Sequence, residues 1–521
     1  MSVNHSVIRS VERTGLEDWL DDMIPLRNDS SAESFFSAYG YDVVDENRFW
    51  NRNSHFDYMI WRQLLSGGNP VRKRMALALS EIFVVSVSTV DIIWPAQAVG
   101  AYWDLLNKHA FGNFRDLLKD ISLNPAMGAF LDTRGNVKAD LSSGRVADEN
   151  FARELMQLFT IGLHELNQDG SVKLRNGQPV ETYGNADVEG LAKVFTGYDL
   201  DYSDLKLFPD PQWSHLMRPE PKVVRRPMTA DPRRWERAST DDRHSYEEKR
   251  FLGISIPPGT GAAESLRIAL DALFNHPNVG PFIGKQLIQR LVTSNPSPAY
   301  IHRVALAFNN NGRGVRGDLS ATFKAIILDP EATDSAGLTD PLFGKLREPM
   351  VRFAQWGQTL GATSSSNTWQ IRDLSKMHHL NQAPLRAPSV FNFFRPGYSP
   401  PRSQIAANGI VAPEFGIVNE SSVAGYVDFM WRTIRGDPYW TDDIRAEYKA
   451  EIMLASNAIE LLDHLDLIFT AGQIRPHTRK QILSAIEDVP LASENDDGAK
   501  VRRVQIGIML VMTCNEYIVQ K

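Results

Sequence analysis

The chain has 521 residues, of which 43% are hydrophobic, and a formal net charge of −7; this is enough apolar sequence for one large core or several closely packed domains. Acidic and basic residues are interspersed, so we expect no DNA or RNA partner, because nucleic-acid-binding proteins concentrate positive charge. The single cysteine, Cys514, excludes disulfides within the chain, thiolate zinc clusters and iron–sulfur ligation. Any metal site would therefore use His, Asp and Glu side chains.

Membrane and export signals are the next class to consider. No window approaches 18 uninterrupted apolar residues, and the N-terminus has neither a charged region nor a following apolar region. We therefore expect no membrane span and no signal peptide in this chain. The protein would be cytoplasmic, or exported with a partner or after removal of a signal.

Helices dominate the first part of the chain. Apolar spacing predicts Leu16–Leu26, Ser31–Tyr39, Phe56–Leu65, Pro70–Ser86, Pro95–His109 and Asn113–Ser122. Of these, Pro70–Ser86 begins with basic residues and ends almost wholly apolar, which is typical of a central core helix. We interpret it as scaffold.

The most unusual helix is predicted over residues 148–162, and we call this stretch the motif helix. Its apolar residues fill one broad sector that must face a core. Glu149 and Arg153 are spaced i,i+4 on the polar side and can form an ordinary surface pair. Glu154 lies at the edge of the apolar sector, with Asn150 one turn before it. Because a buried carboxylate needs a partner or a chemical role, Glu154 is the first candidate catalytic residue, although an ion pair with an arginine would also explain it.

Turn signals and prolines interrupt the helices twice after the motif helix. The turns at 167–170 and 175–178 predict a small β-hairpin within residues 163–183. Residues 199–260 form a long irregular excursion rich in proline and arginine, which contains Trp213 and Trp235. This composition suits a carbohydrate or anionic ligand, or an excursion that packs its tryptophans on the body.

The second half of the chain also consists of helical segments interrupted by an irregular one. Residues 261–380 are helical, residues 381–419 combine prolines with aromatic residues that include Tyr398, and residues 420–521 are helical again. Together with the helical residues 1–198, these parts predict a mainly α protein. We expect a large, multi-helix, bundle-like unit with a small β-hairpin insertion and two long irregular segments, forming one compact unit.

The first functional hypothesis is hydrolysis at a site centred on carboxylate and histidine side chains. Glu154 would act with Arg153, Glu149 and His244, because carboxylates and imidazoles exchange protons near neutral pH. His164 and His244 are the candidate ligands of a divalent metal. However, no His-Glu-x-x-His spacing indicates a preformed metal site.

Two other kinds of enzyme remain open. A glycosidase would use two carboxylates among Glu149, Glu154, Asp187 and Glu348. Its binding residues would be Asn150, Trp213, Trp235 and Tyr398. A redox or haem enzyme could use His109 at the end of a helix, but no haem fingerprint accompanies this histidine. No glycine-rich phosphate loop occurs, so we expect no nucleotide cofactor. The cofactor is otherwise unassigned.

A family resemblance rests on several stretches that occur in order from about residue 15 to residue 420. The most characteristic stretch is Glu149–Gly162, with the core pattern Glu-Asn-x-x-Arg-Glu-Leu. The others are Arg74–Val84, Asn124–Gly128, Asp187–Val188, Phe195–Tyr198, His244, Lys249–Gly253, His276–Pro277, Lys285–Ser294, Gly317–Leu319 and Arg347–Pro349. These stretches closely resemble the bacterial family catalogued as domain of unknown function 1800.

The resemblance implies a predominantly helical protein but no established activity. Members are similar to exported bacterial proteins and are commonly encoded beside a sulfatase-like family, domain of unknown function 1501. The resemblance therefore implies a sulfatase-like partner. This leads to a non-enzymatic alternative, in which the two irregular segments bind such a partner or a cell-surface polymer.

Overall fold

The computed structural model describes residues 5–27, 30–140, 142–437, 443–493 and 495–521. It confirms a mainly α fold, in which helices carry the core and all the strands are short. The helices of the first half are α1 His5–Thr14, α2 Leu16–Met23, α3 Ala32–Ala38, α4 Ser54–Leu65, α5 Pro70–Ser80, α6 Pro95–His109, α7 Phe114–Ser122, α8 Pro125–Phe130, α9 Asn150–Gln157, α10 Asn185–Ala192, α11 Lys222–Arg225 and α12 Ala262–Asn275. The helices of the second half are α13 Val279–Leu291, α14 Pro298–Asn309, α15 Leu319–Ile327, α16 Pro330–Thr333, α17 Ala336–Thr339, α18 Pro349–Thr359, α19 Gln404–Ala407, α20 Glu420–Arg435, α21 Lys449–Leu454, α22 Ala458–Thr470, α23 Pro476–Glu487, α24 Asp497–Thr513 and α25 Asn515–Ile518.

Ten short strands form two-stranded antiparallel pairs, each made of two or three residues per strand. The pairs are β1 Leu174–Arg175 with β2 Gln178–Pro179, β3 Leu207–Pro209 with β4 Met217–Pro219, β5 Lys249–Phe251 with β6 Ile254–Ile256, β7 Lys345–Leu346 with β10 Val519–Gln520, and β8 Thr363–Ser364 with β9 Ile444–Arg445. The first pair lies inside the hairpin predicted for residues 163–183. The β7–β10 pair connects the end of the chain to the middle, with Val519 opposite Leu346.

A continuous apolar core extends from Leu20 in α2 to Tyr517 in α25. Several of its largest side chains are tryptophans with no exposed surface, including Trp61, Trp103 and Trp356. The indole of Trp103 donates a hydrogen bond to Gln63 Oε1 at 2.8 Å. Such a bond allows an indole N–H to be buried without losing a hydrogen-bond partner.

Helix α5 ends at Ser80, so the prediction that it continues to Ser86 was wrong. It starts as expected, with Pro70 at its first position and the side chain of Asn69 as its cap. The N–H groups of Glu81 and Phe83 still donate to the Leu77 and Leu79 carbonyls. Beyond them, Val87 N–H donates to the Leu385 carbonyl, and the Tyr102 hydroxyl donates to the Phe83 carbonyl. These two tertiary bonds take the place of the bond that a continued helix would form between Val87 and Phe83, and Glu81 lies directly at the helix end.

The motif helix is also shorter than predicted, because α9 covers only Asn150–Gln157. Gly162 then closes the turn in the left-handed region, with φ of 71°, and its N–H donates to the Met156 carbonyl. A Cβ atom at this glycine would lie 2.7 Å from the ring of Phe282 in α13. Gly162 is therefore required both for its conformation and for the close approach of α13.

The excursion over residues 199–260 packs against the helical body. Val223 and Val224 of α11 are fully buried, and the Trp94 indole donates a hydrogen bond to the Pro219 carbonyl at 2.8 Å. Trp235 is 5% exposed, whereas Trp213 is 50% exposed. Trp235 thus packs within the excursion, where its indole donates a hydrogen bond to the Thr229 carbonyl at 3.1 Å and the Arg243 guanidinium lies 4.6 Å from its ring centre, whereas Trp213 faces solvent. Among the described residues, no helix is both long and apolar enough to cross a membrane.

Candidate functional site

A cleft of about 380 Å³ lies where five parts of the chain meet. These are the end of α5, the end of α9 with the turn that follows it, the loop before β1, helix α13, and the irregular segment 381–419. The lining residues are Glu81, Ile82, Gln157, Leu158, Gly162, Leu163, His164, Leu166, Gly170, Val172, Phe282, Lys285, Gln286, Gln289, Arg290, Val390, Phe391, Arg395, Pro396, Gly397 and Val411. Mostly apolar walls with a few polar groups are typical of small-molecule sites.

Two charged residues at one end of the cleft are almost completely buried, and we call this end the floor. Glu81 is 4% exposed and Arg290 is 5% exposed. Arg290 Nε lies 3.5 Å from Glu81 Oε2, and Arg290 Nη2 donates to the Glu81 carbonyl at 2.9 Å. Neither carboxylate oxygen of Glu81 accepts a hydrogen bond from the described part of the chain.

Glu81 and Arg290 belong to a network of largely buried charges, which we call the charge cluster: Arg74, Glu81, Arg290, Lys345, Glu348 and Glu414. Lys345 Nζ lies 3.0 Å from Glu414 Oε1 and 3.4 Å from Glu348 Oε1. The Gln382 amide donates to Glu348 Oε2 at 2.7 Å, and Arg74 lies 3.9 Å from Glu348. Three carboxyl groups therefore face three cations, at a depth where an uncompensated charge is very unfavourable.

The two acids Glu81 and Glu348 differ in their pKa values. Burial, followed by the negative charge of Glu348, raises the pKa of Glu81 well above its ordinary value. Burial alone would also raise the pKa of Glu348, but the charges of Lys345 and Arg74 and hydrogen bonds from Glu81 and Gln382 lower it to about 2. Of these two coupled carboxyl groups, Glu81 therefore binds a proton more readily than Glu348 does. The acid with the raised pKa is the one that lines the cleft.

The mouth of the cleft carries further polar groups. Lys285 of α13 and Arg395 of the 381–419 segment are exposed, and the Arg395 guanidinium lies 4.4 Å from the centre of the Phe391 ring. The buried Nδ1 of His164 and Nε2 of Gln286 have no hydrogen-bond partner in the described part of the chain. The Gln289 amide donates to the Pro396 carbonyl at 3.3 Å and so connects the 381–419 segment to α13.

Only part of the predicted site lies in this cleft. His164 lines it, but Glu154 and His244 are not among its lining residues. Glu154 is 8% exposed, its Oε2 has no hydrogen-bond partner in the described chain, and burial raises its pKa. Glu149 and Arg153 form the expected i,i+4 pair at 2.9 Å, each more than one third exposed. The catalytic roles of these motif-helix residues stay predictions.

His244 has a packing environment of its own. It is 1% exposed, its Nδ1 donates to the Thr196 carbonyl at 2.9 Å, and burial lowers its pKa. Gly197, with φ of 82°, lets the backbone of His244 approach so closely that a Cβ atom there would lie 2.6 Å from the His244 nitrogen. This histidine therefore anchors the residues before β5 to the turn after α10.

A metal centre was another expectation for these histidines. Within the described ranges, no three or more His, Cys, Asp or Glu side chains are grouped so that they could hold a metal ion. His164 lines the cleft, whereas His244 packs against Thr196. The metal-binding roles of both stay predictions.

The remaining candidates are distributed over the molecule. Asn150 donates a hydrogen bond to Asp132 at 2.9 Å. Asp187 accepts hydrogen bonds from the N–H groups of Gly184 and Leu252. His109 Nε2 lies 2.7 Å from Asp120 Oδ2. Trp213 and Trp235 are not lining residues, and Tyr398 directly follows the lining residue Gly397. Among the predicted carboxylates, only Glu348 belongs to the charge cluster, and it lies behind the floor.

Sequence reasoning missed Glu81, Arg290 and Lys345 as parts of a site. The signal for Glu81 was a single acidic residue inside the run Met75–Val85, which is otherwise apolar apart from Ser80. A carboxylate in such a run needs the same explanation as Glu154. The signal was overlooked because the whole segment was interpreted as scaffold.

Comparison with known proteins identifies the family of the chain but no individual relative. No curated protein and no solved structure matches the chain. A family model described as protein of unknown function, DUF1800, matches residues 1–519. The chain therefore belongs to the DUF1800 family.

Proposed function

We propose that the protein is a hydrolase whose acid and base are Glu81 and His164 of the cleft. The observation that carries this proposal is the environment of Glu81: a carboxyl group that lines a cleft, has its pKa raised by burial and by Glu348, and has no hydrogen-bond donor on its oxygens in the described part of the chain. Carboxylic acids kept protonated by burial are effective general acids at neutral pH. His164, with its unpartnered Nδ1, supplies the complementary base.

The reaction is hydrolysis of a C–O bond. His164 takes a proton from water while the water oxygen bonds to the electrophilic carbon. The C–O bond of the leaving group breaks, and its oxygen receives the proton of Glu81. The negative charge that develops on Glu81 is stabilised by Arg290, whose Nε lies 3.5 Å from Oε2. Transfer of a proton from His164 back to Glu81 through water restores the starting state.

The test is hydrolysis of a panel of p-nitrophenyl esters and glycosides by the wild-type protein and three variants. Glu81→Gln keeps the shape of the side chain but removes its exchangeable proton, so kcat/KM should fall by about a hundredfold or more, within the range for loss of a general acid. His164→Asn should have a similar effect. Glu264→Gln, which alters an exposed ion pair with Arg267 of α12 outside the cleft, is the matched control and should keep wild-type activity.

The motif helix provides the competing assignment within the same experiment. If Glu154→Gln abolishes turnover and Glu81→Gln does not, the acid belongs to the motif helix and the assignment to Glu81 is wrong. Wild-type protein that turns over none of these substrates argues against C–O hydrolysis and favours the binding function below. Circular dichroism spectra of all variants show whether each retains its fold.

A second candidate function is binding of a partner protein through the β3–β4 hairpin. This hairpin exposes five large apolar side chains, each at least 39% accessible: Leu207, Phe208, Trp213, Leu216 and Met217. Contiguous exposed apolar residues are typical of interaction sites. We propose the sulfatase-like protein of the DUF1501 family as the partner. Loss of binding to the purified partner on Trp213→Ser substitution, with Glu81→Gln unaffected, would support this function.

A further inference from the structure

The charges that line the cleft are opposite in sign to those of the whole protein. The chain has 63 acidic and 56 Lys and Arg residues. The cleft is lined by three such cations, Lys285, Arg290 and Arg395, and by a single acid, Glu81. Even when it is ionised, Glu81 offsets only one of these three charges. The cleft is therefore a positively charged site on a negatively charged protein, and such sites attract anions.

Two of these cations are available to a ligand. Within the described ranges, Lys285 and Arg395 form no ion pair with any carboxylate, although most arginines of the 199–260 excursion are paired, as Arg225 is with Glu33 at 2.7 Å. Lys285 comes from α13 and Arg395 from the 381–419 segment, so they approach the mouth from two different elements. The Gln289–Pro396 hydrogen bond connects these elements.

The rest of the cleft is apolar, which restricts what kind of anion fits. Phe282, Phe391, Val390, Leu158 and Leu163 are among its apolar lining residues, and its volume is about 380 Å³. A free inorganic ion would leave this wall in contact with water. A molecule with an apolar body and one anionic end would cover the wall and also neutralise the mouth.

We propose that the cleft binds small amphipathic organic anions, with the anionic group between Lys285 and Arg395 and the apolar body against Phe282 and Phe391. The unpartnered Nε2 of Gln286 adds a hydrogen-bond donor inside the cleft. This inference rests on the proposed function in taking the same cleft as the reaction site, and it names the substrate class. The apolar body carries the C–O bond towards Glu81, while the anionic end remains at the mouth.

The experiment measures binding and needs no turnover. The reporter is the fluorescence of 8-anilinonaphthalene-1-sulfonate, and the competitors are 2-naphthoate, 2-naphthyl phosphate and the uncharged 2-naphthamide. At least one of the two anions should displace the reporter at about tenfold lower concentration than 2-naphthamide, because only the anions interact with Lys285 and Arg395. Their relative affinities identify the preferred oxyanion. Equal competition by all three compounds would overturn the proposal.

Paired substitutions connect the binding to the two cations. In Lys285→Gln/Arg395→Gln the advantage of the anions over 2-naphthamide should decrease about tenfold, while the affinity for 2-naphthamide stays within about twofold of wild type. The charge-conserving Lys285→Arg/Arg395→Lys should retain the advantage. Lys119→Gln/Lys480→Gln, which removes two exposed cations on α7 and α23, is the control for net charge and should behave as wild type. An unchanged preference for anions in Lys285→Gln/Arg395→Gln would overturn the proposal.

The Glu81→Gln variant separates this inference from the proposed function. Glu81 lies at the floor of the cleft and the anionic group at the mouth, so the variant should bind 2-naphthoate at least as tightly as the wild type does, even where hydrolysis is lost. Anion binding in a protein whose activity does not depend on Glu81 would leave the ligand class correct and the catalytic assignment wrong. Loss of hydrolysis in Glu81→Gln, together with no preference of the cleft for anions, would leave the catalytic assignment correct and the ligand class wrong.

Discussion

The motif helix and the floor of the cleft each place a glutamate in apolar surroundings, but they treat it differently. Glu154 lies at the edge of α9 with Arg153 as its nearest opposite charge, and burial alone raises its pKa. Glu81 lies at the end of α5 among five other charged groups, of which four are buried, and a second carboxylate contributes to its raised pKa. Burial raises the pKa of both carboxyl groups, and the neighbouring charges then determine how far each pKa moves.

The two regions also meet, because the turn after α9 forms one wall of the cleft. Gln157, Leu158, Gly162 and His164 all follow Glu154 closely in the chain and line the same space as Glu81. Phe282 packs against Gly162 and holds this turn to α13. The motif helix therefore contributes to the candidate site through its C-terminal end rather than through its charged face.

The largest effect that we expect concerns the charge cluster. Lys345→Met removes the cation shared by Glu348 and Glu414 and should lower the free energy of unfolding by about 3–5 kcal/mol, because two buried carboxylates lose their partner. Urea unfolding followed by circular dichroism measures this change. A decrease below about 1 kcal/mol would mean that the cluster is no more sensitive than the surface pair of the motif helix.

The pH dependence of stability should distinguish Glu81 from Glu154. The pKa of Glu81 is raised in the folded protein, so its stabilising contribution is complete below the ordinary pKa of 4.5 and is lost as the pH rises through the folded-state pKa. Glutamine does not titrate in this range, so the Glu81→Gln variant does not lose stability in this way. Its stability relative to wild type should therefore increase between about pH 5 and pH 8, by at most about 1.4 kcal/mol per pH unit.

The measurement is urea unfolding of both proteins at several pH values in this range. Glu149→Gln is the control, because it changes an exposed pair and should shift stability by a constant amount. A difference between Glu81→Gln and wild type that does not vary with pH would show that Glu81 loses its proton as readily in the folded protein as in the unfolded chain.

A smaller effect is expected at Glu154. Its Oε2 has no hydrogen-bond partner in the described chain, so Glu154→Leu removes an unfavourable buried charge and adds apolar contact with the core. The free energy of unfolding should stay within about 1 kcal/mol of wild type or increase. Differential scanning calorimetry provides the comparison. A clear loss of stability would show that this carboxylate makes an important structural interaction, as the Glu81 cluster does.

The smallest effect belongs to the exposed pair of the motif helix. Arg153→Ala breaks the contact with Glu149 and should cost about 0.3–0.5 kcal/mol, because both side chains are more than one third exposed. The loss should decrease further in high salt, which screens such pairs. Urea unfolding at low and high salt tests both statements. A cost of several kcal/mol would remove the distinction between this pair and the charge cluster.

The fold could be predicted largely from local patterns. Apolar periodicity gave the helices, and the Asn-Gly turn at residues 176–177 correctly indicated a hairpin, because both signals depend on neighbours in sequence. The end of α5 could not be predicted in this way. It depends on the hydrogen bond between Val87 and Leu385, and nothing near Val87 in the sequence indicates that bond.

Much less of the candidate site than of the fold could be predicted from the sequence. His164 was predicted as a site residue because it follows the motif helix, and it lines the cleft. Glu81, Arg290 and Glu348 come from three distant parts of the chain, and only tertiary structure brings them together. Glu81 is unusual as an acid in an apolar run, but nothing near it in the sequence indicates Arg290 or Glu348 as its neighbours.

The pairing of β7 with β10 has a consequence for the order in which the site forms. Lys345 belongs to β7, whose partner strand consists of Val519 and Gln520. During synthesis from the N-terminus, the part of the chain that contains Glu81, Arg290 and Lys345 leaves the ribosome before this partner strand does. The strand that carries the shared cation of the charge cluster thus obtains its hydrogen-bonded support from β10 only when residue 520 has emerged, so this part of the candidate site is completed later than the segments that carry Glu81 and Arg290.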